Sequence, residues 1–185
     1  MPSMWLLIGA AVLVLLYVWY AVIVARHNKV KEALSSVDVH LKQRHDLIPN
    51  IVKLAQRFMD HERGLIEEVT RLRSRADAAI ERGPAAAKEL FQLENQLGRG
   101  VSQILATLES YPTFKSDTNV LEAQRTWTET EAQITAARRF YNAAVNRLRN
   151  AVQIFPGQIL ATLAGVETVA YYEAEPEARV APDVD

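Results

Sequence analysis

From Met4 to Ala25 the chain is almost wholly apolar and carries no charged residue, and Arg26, His27, Lys29 and Lys31 follow at once. A helix over that run is about 33 Å long at about 1.5 Å per residue, enough to cross a hydrocarbon core of about 30 Å. A cleaved signal peptide would need a basic segment ahead of a shorter apolar run, and here no Lys or Arg precedes it. Trp5 lies near one end of the run and Tyr17, Trp19 and Tyr20 near the other, where aromatic side chains anchor a helix at the two interfaces. Arg26, Lys29 and Lys31 complete this membrane-interface set as contacts to anionic lipid. Because the positive charges flank only the C-terminal side, the positive-inside rule puts the N-terminus outside and the rest of the chain in the cytoplasm.

This divides the chain into a short extracytoplasmic N-terminus (1–3), a transmembrane helix (4–25), a cytoplasmic domain (26–172) and an acidic tail (173–185). The tail, with Pro176, Pro182 and an excess of Glu and Asp, reads as disordered. The absence of cysteine excludes disulfides and thiolate chemistry. A net charge of −1 gives no general attraction to nucleic acid, and no nucleic-acid partner is expected.

Beyond the apolar run and apart from Pro49, breakers are few, at Gly83-Pro84, Tyr111-Pro112, Phe155-Pro156-Gly157 and the tail, with no strand-like alternation between them. The fold class is all-α: an N-terminal transmembrane helix followed by an elongated antiparallel helical bundle with coiled-coil-like packing. One seven-residue row runs through Val30, Val37, Arg44, Ile51, Phe58, Leu65, Leu72 and Ala79, and a companion through Leu34, Leu41, Ile48, Ala55, Glu62, Val69 and Ala76. Both stay in phase across Pro49, so residues 28–80 form either one helix kinked there or two helices with Pro49 in the first turn of the second.

A further helix is expected at about 85–110, with Leu90, Leu97 and Ile104 on one row and Val101 and Leu108 on the other; Gly98 and Gly100 weaken it locally. The next carries Val120, Trp127, Ile134, Tyr141, Leu148 and Phe155 on one row and alanines on the other, and ends at Pro156-Gly157. A last helix over about 158–172 is expected to bury Ile159, Leu163, Val166 and Ala170.

Three stretches carry a resemblance: Val37 through Arg44-His45-Asp46-Leu47-Ile48-Pro49-Asn50 to His61-Glu62; Tyr111-Pro112-Thr113-Phe114-Lys115-Ser116; and Glu131 through Ala137-Arg138-Arg139-Phe140-Tyr141-Asn142 to Phe155-Pro156-Gly157. In this order, with the apolar run ahead of them, the chain resembles the LemA family of bacterial membrane-anchored helical proteins. The resemblance implies a single-pass inner-membrane protein with a cytoplasmic bundle, and it brings no catalytic residue. It further implies association with membrane metallopeptidases and envelope-stress proteins. At Val169-Ala170-Tyr171-Tyr172-Glu173 and the acidic tail the chain departs from relatives that end in a Phe-rich segment.

No catalytic, cofactor-binding or metal-binding residue is expected. His40 and His45 are not spaced to share a metal with a third ligand, and His61-Glu62 lacks the second histidine of a zincin helix. No phosphate-cradling or nucleophile-elbow motif occurs, since Gly98-Arg99-Gly100 is too short. Charges on the seam rows are more informative. Arg44, Glu62, Glu131 and Arg138 form a candidate interhelical polar layer, because a buried charge needs a partner and such residues fix register or oligomeric state.

These features describe a membrane-anchored, non-enzymatic scaffold that acts through protein contacts at the cytoplasmic face, with a second copy of the chain among its partners. The alternative is a regulatory subunit of a membrane-associated enzyme, such as a peptidase complex in envelope maintenance, or that enzyme itself.

Overall fold

The computed structural model describes residues 2–59, 62–82, 86–110, 118–167 and 169–172. The Tyr111–Ser116 stretch, the Gly83-Pro84 turn and the 173–185 tail therefore lie outside the described residues. Among those described, every regular element is a helix: α1 (Pro2–Phe58), α2 (Arg63–Glu81), α3 (Ala87–Glu109), α4 (Thr118–Gln153) and α5 (Gly157–Leu163).

Pro49 lies inside α1, and the helix neither starts nor ends there. The break within 28–80 comes instead at Met59–Glu62, where Met59 N donates to Ala55 O at 2.8 Å and Glu62 N to Met59 O at 3.3 Å. The seven-residue rows stay in phase because this short turn folds one limb back onto the other: Val37, Leu41, Ile48, Ile51 and Ala55 on α1 and Val69, Leu72, Ala76 and Ala79 on α2 are all buried. The stripe is two facing halves of a hairpin, covered within a single chain.

The chain forms two compact units. One takes residues 38–136 together with Tyr172, and so draws on the C-terminal part of α1, on α2 and α3, and on the start of α4. In it α2 and α3 run antiparallel, with Arg82 on Glu89 at 2.9 Å and Val69 opposite Gly100. A Cβ on Gly100 would stand 2.8 Å from Val69 Cγ2, so the glycine that lowers helix propensity is what permits this approach. Helices α3 and α4 are antiparallel too: Trp127 Nε1 donates to Ser102 Oγ at 3.3 Å, and Gln124 Nε2 to Glu109 Oε1 at 2.9 Å. Phe91 and Tyr172 stack with ring centroids 3.8 Å apart.

The other unit takes the first part of α1, the end of α4, α5 and the residues up to Tyr171. Here α1 and α4 run antiparallel, since Trp19 Nε1 donates to Ala151 O at 3.4 Å while Arg26 Nη1 donates to Arg147 O at 2.7 Å. The expected helix over 158–172 is much shorter. It stops after Leu163 because Gly165 adopts φ 63°, with Gly165 N on Thr162 O at 3.2 Å and Val166 N on Ala161 O at 2.9 Å. That pair of bonds is a Schellman ending. The chain then returns along α4 without helix, held by Tyr141 Oη donating to Ala170 O at 2.9 Å and Arg149 Nη2 donating to Val169 O at 3.0 Å. Ile159 and Leu163, expected to be buried, are exposed, and Ala170 is exposed as well.

Gly157 packs so tightly that an added Cβ would lie 1.9 Å from Ala151 O, whereas the same addition at Gly64 in α2 meets nothing within 4 Å. Gly157→Ala should therefore destabilise the full chain in detergent by about 1–3 kcal/mol, as over-packing does. Gly64→Ala should stabilise it by about 0.5–1 kcal/mol through helix propensity. Chemical denaturation followed by circular dichroism distinguishes the two signs.

Candidate functional site

A buried charge is tolerable only if countercharges and hydrogen-bond acceptors meet it, and Arg44 is 1% exposed. It sits on the inner row of α1 between Leu41 and Ile48. Its Nη1 donates to Glu131 Oε1 of α4 at 2.8 Å, and its Nη2 to the backbone oxygen of Glu94 in α3 at 2.9 Å. Nη2 also pairs with the Glu94 carboxylate. Gly98, one turn along α3, leaves room for the guanidinium, since a Cβ there would be 3.0 Å from Nη1.

Glu94 is fully buried, and its second oxygen meets His45 Nε2 at 2.7 Å. The other ring nitrogen, Nδ1, lies 2.7 Å from Asp77 Oδ1 of α2. With a carboxylate at each nitrogen, both must donate, which is the arrangement of a protonated imidazolium. One cluster thus joins all four helices of this unit: Arg44 and His45 from α1, Asp77 from α2, Glu94 from α3 and Glu131 from α4.

The electrostatics follow from these contacts. Burial on its own would push the His45 pKa down, but Glu94 and Asp77 outweigh it and hold the pKa above its usual value of 6.5. Burial would likewise raise the Glu94 carboxyl, but His45 and Arg44 outweigh it and hold the pKa below its usual 4.5. Arg44, opposed by burial and supported by Glu94 and Glu131, is held charged. The carboxylates are occupied with the protein's own cations, and among the described residues no group of three or more His, Cys, Asp and Glu is placed to hold a metal ion.

The other residues singled out by sequence are spread more widely. Glu62 is exposed ahead of α2, because the turn after Phe58 takes it off the seam, and Arg138 is half-buried on α4 in the other unit. Sequence reasoning passed over His45 as a partner, and missed Glu94 and Asp77. Glu94 carried a usable signal, since stepping back seven residues along the row of Leu108 and Val101 lands on it. Of the interface set, Trp5 and Tyr17 are exposed on α1 together with Tyr20, and Trp19 turns toward α4 as described. Lys29 pairs with Glu32 at 2.8 Å and lies 5.3 Å from the Phe140 ring centroid, and Lys31 is exposed.

A family model described as the LemA family matches residues 33–185. The chain belongs to the LemA family. It is also similar to the magnetosome protein MamQ of Magnetospirillum gryphiswaldense, 21% identical over 178 residues, or 85% of this chain and 65% of that protein. Magnetosome protein MamQ 2 of Paramagnetospirillum magneticum is 22% identical over 163 residues, or 77% of this chain and 60% of that protein. This LemA-family chain therefore spans less than two thirds of the length of these curated relatives.

The raised His45 pKa makes its contribution to stability complete below pH 6.5 and lost as pH rises through the folded value. The lowered Glu94 pKa makes its contribution complete above pH 4.5 and lost as pH falls through the folded value. Melting temperature against pH for the full chain should fall on both sides of this window. His45→Gln should flatten the alkaline fall and leave an acid one.

Proposed function

We propose that this LemA-family protein is a membrane-anchored helical scaffold, without catalytic chemistry of its own, that works through protein contacts at the cytoplasmic face of the bacterial inner membrane. The observation that carries this reading is the continuity of α1. One helix holds both the apolar segment, exposed from Met4 to Val22 at nearly every large side chain, and Arg44, which ties a four-helix bundle together. By length and composition α1 is able to cross a membrane.

A helix whose apolar side chains have no protein neighbours loses free energy in water at about 25 cal/mol per Å², and a bilayer removes that cost. Positive charges on the bundle side alone support an orientation with the N-terminus outside. The seam is buried within one chain, so the surfaces left for partners are the outer helix faces. Among them is a groove of about 500 Å³ between α1 and α4, with Leu47 and Leu54 beside Lys53, Arg57 and Glu122. Mixed apolar and charged walls of this kind suit protein contact, whether with a second copy or with the metallopeptidases and envelope-stress proteins that family resemblance implies.

Because the chain has no cysteine, introduced ones report topology without background. In intact bacteria, Ser3→Cys should react with a membrane-impermeant maleimide from outside, and Ser36→Cys only after the inner membrane is opened. The full chain should stay with membranes through alkaline carbonate. Release by carbonate, or labelling of position 36 in intact cells, would contradict the reading.

A further inference from the structure

The seven-residue row of α4 ends on Phe155, which is 82% exposed. It lies beyond the end of α4, at the corner where the chain turns through Pro156 into α5. Ile154, Ile159 and Leu163 flank it and are exposed as well, Leu163 by 76%. From Asn150 to Val166 there is no charged residue. A corner with apolar side chains on both limbs and no charge is costly in water, and its position in the unit indicates what covers it.

The corner rests on the apolar segment of α1. Trp19 donates to Ala151 O at 3.4 Å, and Gly157 is so close to the same indole that a Cβ would lie 3.1 Å from Nε1. Ile23, near it on α1, is completely buried. The basic residues of the two helices also meet at one level: Arg26, the first charge after the apolar run, donates at 2.7 Å to the backbone oxygen of Arg147, two residues before Arg149, the last charge ahead of the uncharged stretch. Lys29, Lys31 and Arg147 are exposed, with Glu32 alongside Lys29. Along α1, Trp19 lies about 10 Å from Arg26 at about 1.5 Å per residue. A charge-free tip of that depth below a basic collar matches an interfacial element, whose apolar face sinks about 5–10 Å into the boundary of headgroups and acyl chains. Gln153, Gln158 and the short α5 exclude a second crossing.

We propose that the α4–α5 corner is a second membrane contact. Ile154, Phe155, Ile159 and Leu163 enter the leaflet through which α1 emerges, and Arg26, Lys29, Lys31 and Arg147 sit at the level of the lipid phosphates. This rests on the anchor reading of α1 and adds to it: a single helix is free to swivel about its axis, whereas two contacts fix which face of this unit meets the membrane.

Single cysteines carrying an environment-sensitive nitrobenzoxadiazole label test this on the full chain in phosphatidylethanolamine and phosphatidylglycerol vesicles, with and without brominated acyl chains. Phe155→Cys and Leu163→Cys probe the corner, Val12→Cys the anchor, and Gln133→Cys an exposed water-facing position on α4. Labels at 155 and 163 should be quenched by brominated lipid at least about twofold more than at 133, as expected for an interfacial depth. If 12 is quenched while 155 and 163 behave like 133, the corner proposal is wrong and the anchor stands. If 155 and 163 are shielded from water yet not quenched, protein covers the corner and the proposal is wrong. If 12 is not quenched, the anchor reading fails and the proposal with it.

Discussion

The guanidinium of Arg44 imposes the constraint around which the bundle is arranged. Placed on the inner row of α1, it loses its hydration, and the fold restores that loss with a carboxylate from α3, another from α4 and a backbone oxygen. Glu94 creates the same problem with opposite sign, and His45 answers it while resting on Asp77. Each charge therefore specifies a partner on a different helix. Apolar rows alone would permit the four helices to slide by a heptad, and this network does not, because a shifted register strands a charge in the core. Such a cluster contributes uniqueness of packing more than net stability, since its attraction is offset by the cost of dehydrating every member.

The first part of the chain follows a different pattern of exposure. Between Met4 and Val22 the side chains that would form a core in water are left outward, whereas Ile23 and Val30 are buried. The change from outward to inward apolar residues occurs near Trp19, where α4 and its corner begin to cover α1. In the proposed reading this is where lipid gives way to protein as the neighbour of α1, and the basic residues that follow occupy the headgroup layer.

Helix content was legible because turns are few and rows are long, and Arg44 and Glu131 stood out as charges on an apolar seam. The turn at Met59–Glu62 was not legible, since a hairpin that folds an apolar row back on itself preserves its phase, while Pro49 drew attention as a breaker and lies within α1. His45 and Asp77 sit one residue off the rows, on Arg44's and Ala76's neighbours, where periodicity carries no information about partners. The shortness of α5 was readable in Gly165, a standard helix stop, but the apolar residues around it suggested a longer buried helix. Phe155 continued its row in sequence after the helix had ended in space, and this is why an expected core residue proved to be the most exposed large hydrophobic among the described residues.

Arg44 and Glu94 are tolerated in the core only in each other's presence. A double-substitution cycle with Arg44→Met and Glu94→Met, read by chemical denaturation of the full chain in detergent, measures this directly. Each single change should cost about 3–5 kcal/mol, as when one partner of a buried pair is removed, and the double change clearly less than their sum. Small single effects that simply add would contradict it, and would leave the apolar rows as the only determinant of register.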